Sequence, residues 1–198
     1  EGALATISGD INLTETPAIQ DLMSVVRFLA NPSDTLSLVH GMRSPLFGFD
    51  DVALENWRKA TKDGRSYWAS LLNMTEEPFV SAATLLKDLL NNVDAATPYQ
   101  SLLQLLDRTE GRARLAKRYT GSATGAAADT LNMVIDGFLN AALDYARTQS
   151  PSLLGFISWF DKGDLPLKLE ASKSQGAVRL MTVHASKGLE SGVVVLPD

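Results

Sequence analysis

The feature that most constrains this chain is a long helical stripe. From Ala127 to Thr148 the apolar positions Leu131, Val134, Ile135, Phe138, Leu139 and Ala142 recur at three- and four-residue spacing, which is one continuous face of a helix. Three dipeptides mark further helix starts by a common mechanism: Thr16-Pro17, Thr97-Pro98 and Ser150-Pro151. In each, the hydroxyl can cap the first free amides, and proline sits where its missing N–H costs nothing. Behind the first, Ile19, Leu22, Met23, Val26 and Leu29 keep helical period up to Asn31-Pro32. Ser33 or Asp34 can cap a short helix through Leu36, Val39 and Met42 that breaks before Pro45. Further helices are expected over 51–62, 65–73, 78–92, 98–107, 109–119 and Leu153 to Trp159. The stretch Gly121 to Gly125 reads as a loop, and Lys162 to Gly176 as a linker. The expected fold class is mainly α: a bundle of about eight helices.

The chain ends differently. An apolar β-type run, Val178 to Val183, leads into a polar turn holding His184, Ser186, Lys187, Gly188 and Glu190; a second apolar run, Val193 to Leu196, follows. Strand, tight polar loop, strand puts polar groups at the end of a buried sheet, the edge where α/β proteins usually bind ligands. Taken by residue type alone, a surface turn in which Lys187 and Glu190 pair and His184 is solvated remains open.

Composition narrows the class. Apolar residues make up 45% of the chain, enough for a sizeable core. The apolar runs are far too short to span a bilayer and no signal peptide opens the chain. Cysteine is absent and the two histidines, His40 and His184, stand far apart, so neither a disulfide framework nor a ligand cluster is expected. A formal charge of −5 argues against a nucleic-acid surface spread over the whole molecule. It leaves room for a focal groove. A basic run, Arg108, Arg112, Arg114, Lys117 and Arg118 with Tyr119, is the candidate. Arg114, Lys117 and Arg118 share one helical face; the plain alternative is a solvated face paired with acids such as Asp107 or Glu110. Trp57, Trp68 and Trp159 sit in amphipathic segments and are expected to pack rather than stack on bases. The leucines between Leu102 and Leu106 are expected in the core. Arg43-Ser-Pro45 is a helix stop with no chemistry assigned.

Thr182-Val-His184-Ala-Ser-Lys187-Gly188-Leu-Glu190, followed by Val193-Val-Val-Leu-Pro197, resembles motif V of the UvrD-like superfamily 1 DNA helicases. The stretch Leu13 to Asp34 resembles the segment that precedes the helical insertion of those helicases, and Met42-Arg-Ser-Pro-Leu-Phe-Gly48 is typical of their AddA (RecB-like) helicase–nuclease branch. The resemblance covers about a quarter of the chain by motif, sharp at both ends and diffuse in the helical middle. It implies a division into 1–16 (edge of the second RecA-like domain), 17–165 (helical insertion) and 166–198 (return to that domain with motif V). By position, Gly188 and Glu190 resemble the ATP-contacting residues, the glutamate accepting from the ribose hydroxyl. Thr182, His184, Ser186 and Lys187 resemble the residues at the single strand, and Arg112, Arg114 and Arg118 are candidate duplex contacts. One departure is Ser191-Gly192, where many such helicases carry an aromatic or alanine and then proline.

The resemblance further implies a bacterial cytoplasmic ATP-dependent 3′-to-5′ DNA helicase and exonuclease acting in double-strand break repair and recombination. Its ligands would be ATP with Mg2+, single- and double-stranded DNA, and the second subunit of an AddAB-type complex, with no membrane. No Gly-x-x-x-x-Gly-Lys-Ser/Thr occurs between Glu1 and Asp198. The chain therefore reads as a piece of a larger protein, with no nucleotide expected on it and no ATP hydrolysis by itself. The contrasting expectation is a helical docking or regulatory module that makes no DNA contact.

Overall fold

The computed structural model describes residues 5–7, 9–61, 65–149, 151–163, 165–169 and 178–180. The molecule is mainly α, and it divides into two compact units: Glu1–Ile11 with Pro166–Asp198, and Asn12–Leu165.

In the first unit, β1 (Ala5–Ile7) pairs in parallel with β4 (Val178–Leu180), Ala5 opposite Val178 and Ile7 opposite Leu180. A second pair joins β2 (Gly9–Asn12) to β3 (Pro166–Leu169). β3 lies inside the segment expected as a linker. Proline at its first residue is compatible with a strand, because the missing N–H falls where the ladder begins.

The second unit holds nine α-helices among the described residues: α1 (Pro17–Ala30), α2 (Thr35–Arg43), α3 (Asp51–Ala60), α4 (Tyr67–Leu71), α5 (Phe79–Asn92), α6 (Pro98–Arg108), α7 (Gly111–Thr120), α8 (Ala126–Thr148) and α9 (Leu153–Lys162). A single 3-10 turn, Leu13–Glu15, precedes them. α1 is the central element. Its residues are buried nearly all round, from Ile19 and Leu22 through Met23, Val25 and Phe28, because α2, α5, α6, α8 and α9 all pack against it. A helix apolar on every side belongs inside a fold.

Capping decides several boundaries. Thr97 and Gln100 form a reciprocal capping box at α6. Thr16 precedes α1 but does not cap it; its hydroxyl donates to the Asn12 carbonyl at 3.0 Å, and Pro17 supplies the helical start instead. α9 is capped by Ser152, whose hydroxyl accepts from the Gly155 N–H at 3.1 Å, rather than by Ser150, which lies outside the described residues. At α2 the cap is Asp34. Its carboxylate accepts from the Ser37 amide at 3.0 Å and the Ser37 hydroxyl at 2.7 Å, and these bonds hold it below the usual carboxylate range. Asp34→Ala is expected to lower stability by about 1 kcal/mol. The depressed folded value means this contribution is present above the ordinary carboxylate range and lost as pH falls through the folded one. Urea titrations at neutral and acidic pH check it: the gap between the two proteins must narrow in acid.

Aromatic packing knits the helices. Phe138 on α8 meets Phe156 and Phe160 on α9 at centroid distances of 6.0 and 5.5 Å. The tryptophans pack as expected: Trp57 edge-on to Tyr67 at 5.2 Å, Trp68 edge-on to Phe28 at 5.3 Å, and Trp159 against Tyr145 and Phe156. Leu102, Leu105 and Leu106 are in the core, whereas Leu103 is 44% exposed, because α6 turns one residue in that run toward solvent.

Candidate nucleic-acid interface

The basic run predicted from sequence falls at the end of α6 and along α7. α7 begins at Glu110, whose φ of 51° is left-handed, and stops at Gly121, whose φ of 80° needs glycine. Leu115 and Ala116 anchor its inner face, and α7 packs on α6 and α8. Gly111 lets the helix enter closely: a Cβ there would lie 3.0 Å from side-chain atoms of Leu106, Leu46 and Thr109.

The cations along this stretch have different environments. Arg108 donates to Asp88 on α5 at 2.9 Å. Arg112 donates to Asp136 on α8 and reaches the Asn132 carbonyl at 3.5 Å. Arg114 donates from Nη1 to the backbone carbonyl of Leu46 at 3.0 Å. Lys117 and Arg118 are exposed, and among the described residues neither has an acid within ion-pair distance. Arg114, Lys117, Arg118 and Pro45 line an open depression of about 460 Å³. Structure thus brings Arg114 and Arg118 together and turns Arg112 toward a carboxylate. The residue at the third corner is Lys117.

A buried polar cluster stands behind this face. The Tyr119 hydroxyl donates to Asp21 Oδ2 at 2.6 Å, and His40 Nε2 lies 3.4 Å from Asp21 Oδ1. Helices α1, α2 and α7 meet there. Burial pushes the Asp21 carboxyl above its ordinary value, opposed by the Tyr119 hydrogen bond and by His40. Burial and the Asp21 carboxylate together push the Tyr119 phenol up. Sequence reading passed over Asp21 and His40. The one signal was an acid inside a helix otherwise apolar on every side.

A second cavity, of about 210 Å³, is lined by Val39, Leu54, Trp57, Tyr67 and the ion-paired Glu55 and Arg58. Glu55 is held down to about 2 by the Arg58 guanidinium. Among the described residues no helix is long and apolar enough to cross a membrane, and no group of three acidic, histidine or cysteine side chains could hold a metal ion. The terminal-loop candidates Thr182, His184, Ser186, Lys187, Gly188 and Glu190 lie outside the described residues.

Comparison with known proteins makes the chain a homologue of UvrD-like helicases. The ATP-dependent helicase/nuclease AddA subunit of Lactobacillus johnsonii is 28% identical over 190 residues, 92% of this chain and 15% of its own length. The protein of the same name from Leuconostoc mesenteroides is 28% identical over 205 residues, 100% of this chain and 16% of its own length. The ATP-dependent DNA helicase PcrA of Bacillus subtilis is 26% identical over 204 residues, 96% of this chain and 27% of its own length. The chain therefore spans only 15 to 27% of these relatives. No family model matches it.

Proposed function

We propose that this chain is the helical insertion of an ATP-dependent 3′-to-5′ DNA helicase and exonuclease of the AddA type, with bordering pieces of its second RecA-like domain, acting in bacterial double-strand break repair and recombination. The observation that carries the reading is the likeness to the ATP-dependent helicase/nuclease AddA proteins, which runs through the helical middle as well as both ends. In this reading residues 17–165 are the insertion, which meets duplex DNA, the second subunit of an AddAB-type complex, or both. Residues 166–198 return the chain to the motor with its motif V. Glu190 accepts from the nucleotide's ribose and Gly188 lets the backbone approach it, while Thr182, His184, Ser186 and Lys187 grip the single strand. One loop touching both ligands couples ATP-driven closure to movement on DNA, since each ligand biases the same two-state element. Bound ATP with Mg2+ would supply the hydrolysis that drives this closure.

The test is DNA-stimulated ATPase of a full-length protein carrying this segment. Losing a hydrogen bond from a charged acceptor weakens binding by about tenfold or more, so Glu190→Ala is expected to raise the KM for ATP by that factor. Thr182→Ala should raise the DNA concentration needed for half-stimulation while leaving the KM for ATP in place. Unchanged kinetics in both variants would sink the reading. The 198-residue chain alone is expected to hydrolyse no ATP, with or without DNA.

A second reading is a docking module without DNA contact. It is favoured by large apolar side chains in solvent, Leu36 at 81% and Val52 at 67% exposure, and by the net charge of −5. Absence of any DNA affinity in low salt would select it.

A further inference from the structure

The depression lined by Pro45, Arg114, Lys117 and Arg118 has no role in the motor loop, and its chemistry is specific. We propose that it is a sequence-independent site for the sugar–phosphate backbone of a nucleic acid, with Lys117 and Arg118 as phosphate donors, Arg114 as the oriented donor between them, and Arg108 and Arg112 excluded. The proposal rests on the DNA-helicase reading and goes beyond it by naming the surface and the atoms that hold the ligand.

Three observations converge. First, the structure sorts the cations. Arg108 and Arg112 spend their guanidinium groups on Asp88 and Asp136, so a phosphate would have to displace a carboxylate to reach either. Lys117 and Arg118 carry no such partner among the described residues.

Second, the site is held in shape. Arg114 gives one N–H to the Leu46 carbonyl at 3.0 Å, which orients the guanidinium and leaves further donors of its five for a ligand. Tyr119, next to Arg118, is tied to buried Asp21 at 2.6 Å, so the last turn of α7 is anchored to α1. Asp21, whose charge acts on Arg118, is already engaged by Tyr119 and His40. The α7 turn is therefore held by groups that do not themselves face the ligand.

Third, the shape suits a chain rather than a lone anion. The depression is open, about 460 Å³, and Pro45 gives it a stiff apolar edge with no N–H to offer a base. Donors are all cationic, and no acceptor that would read a base edge lines it. Contacts of this kind position a nucleic acid without reading its sequence. The anion run is a succession of phosphodiesters, drawn from duplex or single strand.

The experiment is equilibrium binding of the 198-residue chain to a labelled mixed-sequence duplex and to a labelled single strand of equal length, across a salt series. Each removed phosphate contact lowers the slope of log K against log[salt] by about one. Lys117→Ala and Arg118→Ala are therefore each expected to reduce it by that amount, and Arg108→Ala and Arg112→Ala to leave it where it was. These side chains are on the surface, so the variants keep the fold; matching thermal transitions check this. The nucleic-acid form whose slope falls is the source of the backbone. Inorganic phosphate at constant ionic strength is expected not to compete, and full competition would overturn a backbone site in favour of a single-anion one. Unchanged slopes in Lys117→Ala and Arg118→Ala, with binding intact, overturn the groove and leave the helicase reading untouched. No binding by the unmodified chain at any salt overturns the groove and favours the docking reading.

Discussion

Replacing Phe138 by alanine is expected to lower the unfolding free energy by about 3–5 kcal/mol, a large fraction of what holds a domain of this size together. Phe138 is 0% exposed. Its ring lies 6.0 Å from that of Phe156 and 5.5 Å from that of Phe160, and Phe156 meets Tyr145 edge-on at 5.5 Å. Truncation removes the transfer free energy of the ring and leaves a hole that a close-packed interior refills only in part. It also removes edge contacts that add to simple burial. The hole opens where α8 meets α9, and α9 in turn packs on α1, so relaxation there would disturb the central helix. Guanidinium unfolding followed by far-UV circular dichroism measures the loss. Leu154→Ala on the exposed side of α9, 66% accessible, is the control and should change stability by less than about 0.5 kcal/mol. Equal small effects in both would mean that α8 and α9 do not form a packed core.

The same residues show how far periodicity alone carries. Val134, Ile135, Phe138, Leu139 and Ala142 are legible in the sequence as a buried stripe, and the structure buries all of them, because a three-and-four spacing has one solution on a long helix. Short elements are harder. The sequence reads as helix over 65–73, whereas α4 occupies Tyr67–Leu71, since Ser66 accepts from the Ala69 amide and sets its start. β3 escapes a sequence reading because proline and glycine on either side read as linker, while its partner β2 lies over 150 residues away in sequence; local composition carries no trace of such a pairing. The basic face is legible as a helical face, but the acids that neutralise part of it are not. Asp107 and Glu110 are the neighbours in sequence, yet the observed partners are Asp88 and Asp136, on other helices. Only tertiary packing separates Arg112 from Lys117. The same holds for Asp21, whose partner Tyr119 is 98 positions further on.

Asp21 offers the other large effect, and its sign is worked out from burial. Desolvation raises the carboxyl in the folded protein above its ordinary value of 3.8, so the fold prefers the protonated form. The contribution of Asp21 to stability is therefore full below the unfolded value and lost as pH rises through the raised folded value. Asn at this position does not titrate, yet it retains a carbonyl oxygen to accept from Tyr119. Asp21→Asn is expected to gain on the unmodified protein steadily as pH rises from the ordinary carboxylate value through the folded one, and then to hold a constant lead. Asp21→Ala removes the acceptor altogether and leaves the Tyr119 hydroxyl without its partner; it should be less stable than Asp21→Asn by about 1–2 kcal/mol at every pH. Three groups face the carboxylate and oppose its desolvation: Tyr119 and Arg118 from α7, and His40 from α2. A protonated His40, 3.4 Å away, restores part of the charge balance, so His40→Ala should steepen the pH dependence of the unmodified protein and do nothing to that of Asp21→Asn. Urea titrations across the pH series read all of these. A lead for Asp21→Asn that does not vary with pH would show that the carboxylate's charge is fully balanced by its neighbours. The cluster would then be a hydrogen-bonded tie between α1 and α7 with no titration of its own.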